Sequence, residues 1–290
     1  MGTPFVSLLK PSTSLSHYDR TLPPSEQIHP SIPTTFRDAM IVREQVYVHE
    51  QGVPLPNEFD TDDPRACHWV VYASISQVVA REERCPWTND IVTPRRSETK
   101  SVPIGTIRLV PFPHPPHPRN GGVYVDGMLT NAGEPEAKVP VVAPLTESEM
   151  RRLNGSLLPF TRDRATDMHD GLEPYVKLGR LAVVKEFRGR GIAGLLIRAA
   201  LGWMQENPTY FNPSVATLGF GRLCADTNRD VPKWHGLFCC HAQDDAIPVW
   251  SKHGFKADEA IGHWLEEGIP HVGMFLRLPV DLETHRLQAL

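Results

Sequence analysis

The sequence predicts an α/β chain, a sheet flanked by helices and broken by long proline-rich loops, on three observations. Residues 175–205 read as an apolar strand, a glycine turn and an apolar helix with no gap between them. Short runs of β-branched and aromatic residues recur at 67–75, 103–110, 236–242, 261–266 and 271–278. Finally, 28 of the 290 residues are proline, which breaks helix and strand interiors and so concentrates in connections. Apolar content of 40% and charged content of 22% are ordinary for a globular chain, and no run approaches the roughly 18 apolar residues that span a bilayer. A net charge of −4 with no dense basic cluster argues against nucleic acid as a partner. The chain exceeds the roughly 100–200 residues usual for one domain, so it holds one substantial core with insertions or two small ones.

Residues 1–33 carry Pro4, Pro11, Pro23, Pro24, Pro30 and Pro33 among serines and threonines, too little apolar surface to offset ordering entropy, and read as a flexible arm. The folded domain is expected over 34–290. Thr35-Phe-Arg-Asp38 has the form of a capping box, and Phe36, Met40, Arg43 and Tyr47 recur at helical spacing, predicting a helix from about 36 to 50 closed by Gly52 and Pro54. An acidic, turn-rich segment runs from Asn57 to Asp63. The strands at 67–75 and 103–110 then flank a polar insertion at about 82–102. A second insertion, 111–173, begins Pro-Phe-Pro-His-Pro-Pro-His-Pro and contains a short helical pattern around 146–153. It reads as a solvated loop, with a substrate lid as the alternative because long ordered loops are often functional. A strand over 175–184 and a helix over 192–205 precede a third insertion, 207–235, with a short strand pattern at 222–225. The strand at 236–242 is followed by a short helix at 244–253, with Pro248 in its first turns and Gly254 at its end. The last two strands are joined through Gly268 and Pro270.

The five cysteines are odd in number and include no CxxC pair, which fits a reducing compartment. With no basic start followed by an apolar stretch, and Val6 where a myristoylation signal needs Ser or Thr, a cytoplasmic location is expected. His114 and His117 lack further ligands nearby in sequence, and no metal is assigned to them. Cys239 and Cys240, adjacent on a strand, point to opposite faces and read as packing residues.

The segment Arg188-Gly-Arg-Gly-Ile-Ala-Gly194 carries the chemistry. An anion there meets unpaired backbone N–H groups at a helix start, the positive end of the helix dipole and two arginines. Gly189, Gly191 and Gly194 remove the β-carbons that block close approach, so a diphosphate is a natural guest. A connecting turn with no ligand is the plain alternative. Residues 189–194 also spell G-x-G-x-x-G, but the acidic residue of the dinucleotide fingerprint is missing near 210–214, which reads Tyr-Phe-Asn-Pro-Ser, and the Walker Gly-Lys-Ser/Thr is absent.

At these residues the chain resembles the GNAT superfamily of N-acetyltransferases. The family's Arg/Gln-x-x-Gly-x-Gly/Ala signature is similar to Arg188-Gly-Arg-Gly191-Ile-Ala193, preceded by a strand ending Leu181-Ala-Val183. Three further stretches resemble the ElaA-like branch: Arg43 to Gln51 with Glu58 to Asp63 and His68, then Ala242-Gln243, then Trp264 to Met274. The resemblance spans 36–278 apart from the insertions. It implies a mixed, mostly antiparallel sheet, splayed where acetyl-CoA enters between strands ending near 183 and 242.

The resemblance also implies roles. The strand residues Leu181, Ala182 and Val183 offer backbone groups to the pantetheine arm. The turn residues Arg188, Gly189, Arg190, Gly191, Ile192 and Ala193 hold the diphosphate. A neutral amine attacks the thioester directly, so the protein supplies orientation, a route for the proton and an N–H near the developing oxyanion. The family's thiolate-protonating Tyr is replaced by Trp250, for which Ser251 or a water is the candidate substitute. The candidate bases are Glu50, Glu58, Asp60, His68 and His241, with a water relay as the alternative. The expected activity is acetyl transfer to a primary amine of a small molecule such as an amino sugar, polyamine or amino acid derivative, by a monomer or homodimer. A protein lysine or N-terminal acetyltransferase, and an inactive acyl-CoA-binding module, are the competing readings.

Overall fold

A computed structural model describes residues 4–131, 163–213 and 233–280; the helical pattern at 146–153 and the strand pattern at 222–225 lie outside them. The strands are β1 (Phe5–Leu9), β2 (Cys67–Ala80), β3 (Glu83–Arg84), β4 (Ile91–Thr93), β5 (Arg96–Val110), β6 (Val123–Val125), β7 (Met128–Leu129), β8 (Val176–Val183), β9 (Leu237–Gln243), β10 (Lys256–Ala257), β11 (His263–Glu266) and β12 (Ile269–Arg277). The α-helices are α1 (Thr34–Arg43), α2 (Ile192–Glu206) and α3 (Ile247–Ser251). The chain divides into two compact units, Met1–Ile107 with Arg180–Leu196 and Arg108–Gly179 with Ile197–Leu290. No helix among the described residues is long and apolar enough to cross a membrane.

In the first unit the strand order is β1-β2-β5-β8. The segment expected as a flexible arm is instead part of this unit. β1 pairs antiparallel with β2, from Phe5 opposite Tyr72 to Leu9 opposite His68, and Leu15, Tyr18 and Ile32 form a buried cluster with Phe36 and Met40 of α1. Sparse apolar residues in a proline-rich segment cannot make a core alone, but they can bury against one that already exists.

α1 buries Phe36, Ala39, Met40, Val42 and Arg43, one face at helical spacing. Its start is not a capping box: Pro33 occupies the N-cap, and Asp38 instead accepts a hydrogen bond from the Tyr72 hydroxyl at 2.7 Å. The expected helix to residue 50 continues as a π-helical segment, Glu44–Glu50, and stops at Gly52, whose φ of 77° suits glycine. The polar insertion at 82–102 is also corrected in part: β3 and β4 form a small hairpin and β5 begins at Arg96.

In the second unit the order is β8-β9-β12-β11-β6-β7, with β10 beside β12. β9, β11 and β12 are antiparallel neighbours, and β8 runs parallel to β9 with Val176, Lys177 and Leu178 opposite Phe238, Cys239 and Cys240. The sheet pairing is therefore mixed and mostly antiparallel, and the class is α/β. Part of the 111–173 insertion belongs to this sheet, because β6 pairs with both β7 and β11. Tyr175, Leu237, Cys239, Ile261, Trp264 and Phe275 form the core of the unit.

Candidate functional site

The glycine turn lies in the first unit between β8 and α2. Gly189 and Gly191 have φ of 74° and 78°, the left-handed region that a β-carbon disfavours, and a β-carbon at either would meet nothing within 4 Å. The turn is thus bent by backbone that glycine alone adopts freely, and its surface is open. α2 starts at Ile192, so the N–H groups of Ile192, Ala193 and Gly194 have no acceptor within the helix, while the Leu195 N–H donates back to the Gly191 carbonyl at 3.0 Å.

Arg188 is pre-positioned. Its Nε donates to the Val183 carbonyl at 2.8 Å, and its terminal nitrogen donates to Glu50 Oε2 at 2.7 Å. Glu50, a candidate base from sequence, is therefore held against the turn as the partner of this cation. Arg188 and Glu50 remain 45% and 32% exposed, so the guanidinium can still meet an incoming anion. Arg190 is exposed and lies over the Phe187 ring, 5.7 Å from its centroid.

Two features bring the π-helical segment to the strand that leads into the turn. Ala182 packs against Val42 and Val46, and the Tyr47 hydroxyl donates to the Leu181 carbonyl at 3.0 Å. π-Helical turns are rare and cluster at functional sites, since the extra residue re-aims the side chains that follow. Arg180, just before Leu181, has φ of 49°, which is uncommon for a residue with a β-carbon. Its guanidinium meets Asp60 at 3.2 Å and Glu58 at 3.7 Å.

The acidic segment is largely committed to structure. Arg43, 1% exposed, pairs with Glu58 at 3.1 Å and Asp63 at 2.8 Å, and its guanidinium also donates to the Glu58 carbonyl. Glu58 and Asp63 are 3% and 0% exposed. His68 is likewise buried, bonded to the Asp63 carbonyl and edge-on to Phe36. Of the carboxylates named from sequence in this segment, Asp60 alone keeps appreciable exposure, at 30%. Sequence reasoning did not find the Tyr47, Arg43 and Arg180 contacts, because their partners lie 15 to 134 positions away.

The remaining candidates lie in the second unit. His241 on β9 bonds through Nδ1 to Glu266 Oε1 at 3.1 Å and stands edge-on to Trp264. Burial lowers its affinity for a proton, with the Glu266 hydrogen bond opposing. Burial raises the Glu266 carboxyl, but hydrogen bonds from His241 and Trp264 and the charge of His241 outweigh it and bring its pKa well below the usual range. Ser251 is exposed on α3, and Trp250 is buried against Phe255.

No protein-family model and no curated protein matches the chain. Among solved structures it is similar to a putative N-acetyltransferase from Lactobacillus plantarum, at 16% identity over 96% of this chain and 99% of that one, with a TM-score of 0.43. It is also similar to Escherichia coli ElaA, at 15% identity, 94% and 99% coverage and a TM-score of 0.40. FeeM, an N-acyl amino acid synthase from uncultured soil microbes, aligns at 10% identity, 95% and 91% coverage and a TM-score of 0.41.

Proposed function

We propose that the chain is an acetyl-CoA-dependent N-acetyltransferase acting on a primary amine. The observation that carries the reading is the open glycine turn at the start of α2, with Arg188 fixed beside it by Glu50 and the Val183 carbonyl. Unpaired N–H groups, the helix dipole and two cations suit a diphosphate, the group that distinguishes a coenzyme A thioester from smaller acyl donors. Leu181, Ala182 and Val183 then run alongside the pantetheine arm as a strand edge. Their carbonyls keep a second lone pair beyond those used by Tyr47 and Arg188.

In the transfer, the amine nitrogen bonds to the thioester carbon, the C–S bond breaks, and the proton lost by nitrogen balances the one the thiolate gains. A coenzyme A thiolate, near the reference thiol pKa of about 8.5, leaves without a strong acid, which accommodates Trp250 in place of a hydroxyl donor. With Glu58, Asp63 and His68 buried in their own pairs, Asp60, which is paired with Arg180 but still 30% exposed, is the carboxylate of the acidic segment that accepts the amine proton, through water. The same part-exposed carboxylate favours a small cationic acceptor such as a polyamine or amino sugar.

The test is coenzyme A release, followed chromatographically, across small amines and lysine or N-terminal peptides. Turnover with a small amine supports the reading, and turnover with peptides alone moves the chain to the protein acetyltransferases. The buried indole of Trp250 favours one second reading, an acyl-CoA-binding module without turnover, which would bind acetyl-CoA tightly and release no coenzyme A with any amine.

A further inference from the structure

The second unit holds a cluster of nitrogen and sulfur donors that the proposed acetyl transfer does not use. One ring nitrogen of His117, Cys239 Sγ and one ring nitrogen of His241 lie within 4.8 Å of one another. Cys239 and His241 are two residues apart on β9, and strand alternation puts them on one face. His117 comes from the loop after β5; its side chain is fully buried, and its Nδ1 has no hydrogen-bond partner. A buried, bare imidazole nitrogen is costly unless something meets it.

The surrounding hydrogen bonds decide which nitrogens are bare. The Glu173 carbonyl can only accept, so His169 Nε2, 2.9 Å away, carries the proton. His169 Nδ1 then presents a lone pair, and His117 Nε2, 3.0 Å from it, is the donor. Neutral His117 therefore keeps its lone pair on Nδ1. On the other side, Glu266 is an acceptor already bonded by Trp264 Nε1 at 2.8 Å, so His241 Nδ1 is the donor to it and His241 Nε2 is bare. A carboxylate that fixes the tautomer of a histidine is the usual outer support of a metal ligand.

We propose that His117 Nδ1, Cys239 Sγ and His241 Nε2 bind a divalent transition-metal ion of the zinc type, pinning the loop after β5 to β9. Two imidazoles and a thiolate are a donor set suited to zinc, with the fourth tetrahedral position left for water. Bond lengths of about 2.0 Å to nitrogen and 2.3 Å to sulfur require donor separations of roughly 3.5 Å, so the three side chains, each with one donor atom within 4.8 Å of the others, must draw together on binding. Binding exchanges the thiol proton for the metal and releases that proton to solvent. Lys177 stands opposite Cys239 on β8, a cation beside the thiolate that the metal would bind. The second cluster, His117 with Asp163 and His169, is not the site, because it draws on the His117 nitrogen that already donates.

The experiment is metal analysis of the full chain purified without a metal-affinity step, followed by titration of the chelated protein with cobalt(II). About one zinc per chain is expected, with a sulfur-to-cobalt charge-transfer band in the near ultraviolet. Cys239→Ser should abolish both, whereas Cys85→Ser and Cys224→Ser should keep them. Glu266→Gln should weaken cobalt binding by about 10- to 100-fold while leaving the band. If Cys239→Ser does not fold, as judged by circular dichroism, His241→Asn takes its place, with loss of tight cobalt binding as the expected readout. A wild type without the band, or one whose band survives Cys239→Ser, overturns the proposal. Neither result depends on acetyl-CoA, and the Gly191→Asp chain should still bind cobalt, so the two readings fail separately.

Discussion

Arg43→Met is the sharpest probe of how the first unit is held together. Methionine keeps most of the side-chain length and apolar contact but removes the guanidinium that joins Glu58, Asp63 and the Glu58 carbonyl. The two carboxylates left behind are 3% and 0% exposed. Glu58 retains Arg180 at 3.7 Å, and Asp63 keeps the backbone N–H of Asp60 at 3.0 Å, but neither contact neutralises the buried pair. Removing one member of a buried ion pair costs about 3–5 kcal/mol, mainly through the uncompensated charge, and with two carboxylates the upper half of that range is expected. Urea unfolding at pH 7, followed by far-ultraviolet circular dichroism, measures the loss. A loss under about 1 kcal/mol would refute the reasoning.

Three further outcomes follow from the turn and its supports. Gly191→Asp puts a carboxylate where the proposed function would seat the diphosphate; because aspartate tolerates a positive φ and its β-carbon meets nothing within 4 Å, the fold should persist while acetyl-CoA affinity falls about 100-fold or more, measured by calorimetry. Glu50→Gln removes one charge from a half-exposed pair, so the KM for acetyl-CoA should change by no more than about 5-fold, with kcat unaltered. At Gly105 a β-carbon would lie 2.9 Å from Ile192 Cγ2 and 3.2 Å from the Ala182 carbonyl, so Gly105→Val should overpack the base of the turn and cost about 1–3 kcal/mol in urea unfolding.

The strands and α2 were legible because their burial follows a short period: β2 from Cys67 and α2 from Ile192 begin where residue pattern places them. The turn was legible because its glycines answer a local backbone demand at 189 and 191. What escaped depends on contacts distant in sequence. Leu15, Tyr18 and Ile32 look unremarkable until Phe36 and Met40 offer them a surface. The π-helical register of Glu44–Glu50 leaves no mark in composition, since it shifts each side chain's direction without changing which residues are apolar. Glu50 reads as a candidate base in the sequence and is the partner of Arg188, 138 positions away, in the fold. The His117 cluster was invisible for the same reason, because its donors lie on a proline-rich loop and a strand more than a hundred residues apart.

The most direct test is the melting temperature with and without acetyl-CoA, with NAD and ATP as controls. At about 100 times its dissociation constant acetyl-CoA should add about 2.7 kcal/mol, a rise of several degrees, and the controls should not. No shift, with calorimetry also showing no binding, would contradict the central claim and leave the Arg188 to Ala193 turn as a connection between a strand and a helix.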